Sequence, residues 1–77
     1  MLEELDVVRV KRAMPTAGIA IGAEGTIVHA LTEPSTAYLV EFTDAEGRTL
    51  ATEVFQPEDL EQVWSVRRGQ HGQRQAA

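Results

Sequence analysis

Residues 37–43, Ala-Tyr-Leu-Val-Glu-Phe-Thr, constrain this chain more than any other stretch. Tyr38, Val40 and Phe42 fall on one side of an extended backbone, and Leu39, Glu41 and Thr43 on the other. A period of two over seven residues is the pattern of a strand with one buried face. Asp44-Ala45-Glu46-Gly47 follows, then a β-rich run, Arg48 to Phe55. Asp opens a turn well, and a glycine closing it predicts a left-handed backbone at Gly47. Ahead of this hairpin, Gly25-Thr26-Ile27-Val28-His29 predicts another strand, so Gly22 to Phe55 reads as an antiparallel meander.

The flanks add to it. Residues 5–11, with Val7, Val8 and Val10, read as a first strand. Residues 12–22 contain Pro15, Gly18 and Gly22 and read as a long ordered loop, with Ile19 or Ile21 tucked under the sheet. The second strand is expected over 26–31, with Ile27, His29 and Leu31 on one face and Thr26, Val28 and Ala30 on the other. Thr32 to Thr36 is a polar connection interrupted by Pro34. The fourth strand covers 48–55. Pro57-Glu58-Asp59 predicts a single helical turn, because proline pre-sets φ and carboxylates suit the positive end. Glu61 to Val66 closes as a fifth strand. The expected core is Tyr38, Val40 and Phe42 against Val8, Ile27 and Val54. Five short antiparallel strands, one long loop and one helical turn before the last strand favour a small barrel, which also protects sheet edges.

Size sharpens the picture. Seventy-seven residues make one domain with a thin core. We divide the chain into a barrel, 1–66, and a polar basic tail, 67–77, a disorder candidate by composition. Without cysteine there is no disulfide and no thiolate metal site. The N-terminal residues are acidic and lack a signal-peptide pattern, and no run is apolar enough to span a membrane, so a soluble cytoplasmic protein is expected. Residues 1–66 hold all twelve acidic residues and four basic ones, a net charge of −8; Arg67, Arg68 and Arg74 give the tail +3. A body of that sign repels phosphate backbones, so no nucleic-acid binding through the barrel is expected.

Several motifs, read together, carry a resemblance. Leu5-Asp6-Val7-Val8 precedes Pro15-x-x-Gly18-x-x-x-Gly22-x-x-Gly25-Thr26-Ile27-Val28. Ala37-Tyr38-x-Val40-Glu41-Phe42-x-Asp44-x-x-Gly47-Arg48-Thr49 and x-Pro57-x-x-Leu60 complete the set. Over about residues 4–63 the chain resembles a family of small uncharacterised bacterial proteins, a domain of unknown function, by the order of these motifs. The resemblance implies an all-β fold, a small SH3-like five-stranded antiparallel barrel, similar to the barrel of nitrile hydratase beta subunits. It supplies no catalytic residue, and that subunit does not supply the metal-ligating cysteine motif.

The candidate chemistry is sparse. The glycines at 18, 22 and 25 lead into a strand, not a helix, so they do not form a dinucleotide fingerprint. His29 lacks a placed partner from which to act as a base, and His71 is too distant in sequence to complete a metal site with it. Glu58, Asp59 and Glu61 lack the spacing of a calcium loop. Asp44 and Glu46 are explained by turn chemistry, and Arg67-Arg68 by solvation. No catalytic residue, cofactor or metal is expected, and the protein is not expected to be an enzyme. Five large apolar side chains exceed what a thin core covers: Ile19, Ile21, Leu39, Phe55 and Trp64 are the candidate partner-binding residues. Glu41, Glu53 and Glu61 are the expected acidic rim. The expected function is a non-enzymatic protein-binding module: a subunit, an accessory or maturation protein, or a toxin-neutralising partner whose acidity suits a basic target. The partner is another protein or a second copy, not a membrane. The alternative is an RNA- or ribosome-binding small barrel, for which only the basic tail speaks.

Overall fold

In a computed structural model, residues 2–66 and the backbone of 70–71 are described. The strands are β1 (Val7–Val10), β2 (Glu24–Leu31), β3 (Ala37–Thr43), β4 (Thr49–Phe55), β5 (Leu60–Ser65) and β6 (Gln70–His71). They form one antiparallel sheet in the order β4-β3-β2-β1-β5-β6. Among the described residues the fold is all-β, with 3-10 turns at Pro15–Ala17 and Pro57–Asp59 as the only helical elements, and the sheet is barrel-like without closing: β4 and β6 are its two ends. The tail expected over 67–77 thus contributes a short strand, β6, which pairs Gln70 with Ser65 and His71 with Trp64. The rest of that segment lies outside the described residues.

Register explains which side chains meet. Ile27, Val40 and Glu53 are directly opposite one another across β2, β3 and β4, as are Ala30, Tyr38 and Phe55. Val8, Val10, Ile19, Ile27, Tyr38, Val40, Phe42, Phe55 and Leu60 form the core. Phe42 and Phe55 meet edge to face with centroids 6.0 Å apart, a favoured aromatic geometry. The face expected for β3 is therefore the core face.

Three register shifts interrupt the ladder; one of them, and separately the phase of β4, overturn sequence expectations. Between Ile27 and His29 the register shifts, with Val28 the extra residue. A bulge reverses the alternation beyond it. Ile27 and Ala30 consequently face the core, while His29 and Leu31 pair with Leu39 and Ala37 on the other face. In β4 the expected core residue Val54 pairs with Leu39 on that outer face, and Phe55 pairs with Tyr38 inside. Both neighbours are apolar, so alternation alone does not fix the phase of this strand. One residue of register moves every side chain to the opposite face. The other two shifts are at Val7/Val8 against β5, with Val63 as the extra residue, and at Phe42/Thr43 against β4, with Leu50 as the extra residue.

The long loop folds on itself. Met14 and Ile19 exchange backbone hydrogen bonds of 2.8 and 3.1 Å around the first 3-10 turn. This tucks Ile19 into the core and leaves Ile21 outside.

A buried carboxylate holds the start of the sheet. Asp6 Oδ2 accepts the Glu3 N–H at 2.9 Å and the Gln62 side-chain amide at 2.9 Å, and Oδ1 accepts the Val66 N–H at 2.8 Å. One side chain thereby joins the N-terminal turn to the far end of β5. The turn is closed by the Asp6 N–H on the Glu3 carbonyl at 3.1 Å, with Leu5 at φ 76°. A leucine in that region carries backbone strain.

Candidate functional site

The outer face of β2, β3 and β4 carries several of the apolar groups that the core does not take. One row runs His29, Leu39, Val54 across the three strands, with the bulged Val28 beside it. Leu39 is half-buried, while Val28 and Val54 are exposed. A parallel row runs Trp64, Val7, Thr26, Glu41, Thr52. Leu50, 67% exposed, is the extra residue where β4 shifts against Phe42/Thr43. Val54, 48% exposed, lies four residues further along the same strand. Both stand on the end strand of the sheet, whose far side pairs with no strand among the described residues.

Of the five side chains expected to bind a partner, two are corrected. Ile19 is 5% exposed and Phe55 is 0% exposed, so neither presents a surface. Ile19 is captured by the loop's own bridge. Phe55 packs on Phe42 and carries the Arg12 guanidinium 5.3 Å above its ring. Leu39 and Trp64 are half-buried on the outer face, on different rows and separated by β1 and β2. Ile21 is 70% exposed at the base of the long loop, beside Gly22, whose N–H donates to the Val10 carbonyl at 2.9 Å. The five do not form one patch. The sequence reading missed Val28, Leu50 and Val54; for Leu50 and Val54 the signal was the pair of apolar faces on the fourth strand.

The expected acidic rim also divides. Glu41 borders the apolar row and accepts a hydrogen bond from the Thr49 hydroxyl. Glu53 is on the opposite face, across from Val40. Glu61 lies in another row with Arg9, whose guanidinium is 3.7 Å from Glu61 and 2.9 Å from Glu24.

His29 does have a carboxylate beside it. Its Nδ1 lies 3.3 Å from Glu4 Oε2, and both side chains are more than half exposed. Solvent screening makes such a pair weak. Among the described residues there is no group of three His, Cys, Asp or Glu that could hold a metal ion. Nor does any helix of the described residues have the length and apolarity to cross a membrane. Asp44 sits in its turn as expected: Oδ1 accepts the Glu46 and Arg48 N–H groups and Oδ2 the Arg48 Nε, each at 2.9 Å. The Arg48 N–H, foremost among these donors, holds the Asp44 carboxyl below its ordinary value of 3.8.

These features define a small, all-β, barrel-like domain with an apolar strip on its outer face. The chain belongs to the DUF4926 family, a domain of unknown function, which it matches over residues 4–62. No curated protein and no solved structure matches it.

Proposed function

We propose that this protein is a non-enzymatic, protein-binding module working in the cytoplasm. The observation that carries the reading is the apolar strip of Val28, Leu39 and Val54, which extends along β4 to Leu50. Apolar side chains grouped on one sheet face favour association with another protein over contact with water. The net charge of −8 over residues 1–66 supports a basic partner, because complementary charge speeds encounter. The SH3-like strand order and the resemblance to the barrel of nitrile hydratase beta subunits support a role as subunit, accessory or maturation protein of a bacterial enzyme. The same acidity suits a toxin-neutralising partner. Affinity purification from the native host tests the reading, with the wild type and Leu39→Lys as parallel baits. A protein retained by the first and lost with the second, while both baits melt alike, is the expected result. Equal recovery by both baits, or none by either, overturns the strip as the binding face.

A further inference from the structure

We propose that the partner of β4 is a second copy of this chain, paired antiparallel along the two β4 edges with Thr52 on the two-fold axis. This rests on the protein-binding reading and adds a self-pairing contact at the edge of the strip, apart from the basic partner that the acidic surface favours. An edge strand offers unpaired N–H and C=O groups to another strand. What points to a copy is the side-chain pattern of β4, Thr49-Leu50-Ala51-Thr52-Glu53-Val54-Phe55. A two-fold axis through Thr52 sets Leu50 against the other copy's Val54, and Val54 against its Leu50. The two most exposed apolar side chains of the strand thus cover each other twice, as an isologous interface requires. The same register sets Glu53 across from Ala51, a small neutral neighbour. Moving the axis to Glu53 would oppose two carboxylates, which is destabilising. Moving it to Ala51 would set Val54 against Arg48. Charge and shape therefore select one of the three registers. In it the two Glu53 side chains lie diagonally across the axis, about 7–8 Å apart, so they moderate the dimer without blocking it.

The test uses the full chain, which contains no cysteine. Sedimentation equilibrium is expected to show a monomer–dimer equilibrium. Glu53→Gln should make the dimer several-fold tighter by removing the diagonal repulsion. Thr52→Lys should abolish the dimer at unchanged melting temperature, because Thr52 is exposed in the single chain. Directly opposed Cα atoms in an antiparallel pair are about 4.5–5.5 Å apart, within disulfide reach. Thr52→Cys is therefore expected to form a covalent dimer on mild oxidation much faster than Leu50→Cys, whose counterpart faces Val54. A strictly monomeric chain with equal slow cross-linking of both variants overturns the proposal. So does a dimer that tolerates Thr52→Lys. If a host protein is still captured through Leu39 in either case, the protein-binding reading survives and only the self-pairing fails.

Discussion

Three residues set limits that their neighbours do not. Asp6 is a buried carboxylate with three donors on it. Asp6→Ala leaves the Gln62 amide and the Val66 N–H without their acceptor, and buried unpaired groups are costly. We expect a loss of about 3 kcal/mol, read as a lower urea midpoint at unchanged slope. Gly25 lies under β3: a Cβ there would stand 2.6 Å from Val40 Cγ1 and 2.8 Å from the Glu41 carbonyl oxygen. The oxygen belongs to the backbone and cannot swing aside, so Gly25→Ala should cost about 1–3 kcal/mol by overpacking, measured by thermal melting. Phe42 lies in the core against Phe55. Phe42→Ala should cost about 3–5 kcal/mol, comparable to the whole stability of so small a domain. A melting temperature within about two degrees of wild type would contradict its place in the core.

At the scale of elements, the β3–β4 hairpin is the most locally determined unit. Its turn combines Gly47 at φ 85° with the Asp44 hydrogen bonds. The sequence predicts both, because the turn's chemistry lies within five residues. The folded Asp44 carboxyl titrates below its ordinary value of 3.8, so the unfolded chain binds the proton more readily. Its stabilising contribution is complete above that ordinary value and disappears as pH falls through the lower folded value. Asp44→Asn should therefore be less stable than wild type at about pH 6, and the two midpoints should converge toward about pH 2. A constant gap between them would assign the difference to something other than this ionisation. The bulged strands behave differently. In β2 and β4 the outcome depends on how a strand meets its neighbours, which composition does not encode.

For the whole molecule, charge and topology give the testable consequences. Twelve acidic against four basic residues in 1–66 oppose phosphate binding. With Arg67, Arg68 and Arg74 changed to glutamine, the full chain should show no micromolar binding to RNA or duplex DNA at physiological salt, measured by fluorescence anisotropy. Retained binding would revive the RNA- or ribosome-binding alternative. The open strand order also leaves β4 as an end of the sheet among the described residues, and this is the edge on which the self-pairing is proposed. An apolar strip that continues onto that end links the two proposals made for this surface.

Sequence alone determined the elements it could specify locally. The alternation of Tyr38, Val40 and Phe42 fixed the extent and buried face of β3. Asp44 with Gly47 fixed the hairpin turn, and Pro57 fixed the 3-10 turn before β5. Each depends on backbone preferences or a period of two within a few residues. The outward face of Val54, the burial of Phe55 and Ile19, and the reversal at Val28 were decided by tertiary structure. In each case two apolar residues competed for one interior, and inter-strand register and the loop's return under the sheet chose between them. The joining of Asp6 to Gln62 and Val66 was decided the same way. A carboxylate 56 and 60 residues from its donors acquires them only when β1 and β5 come together.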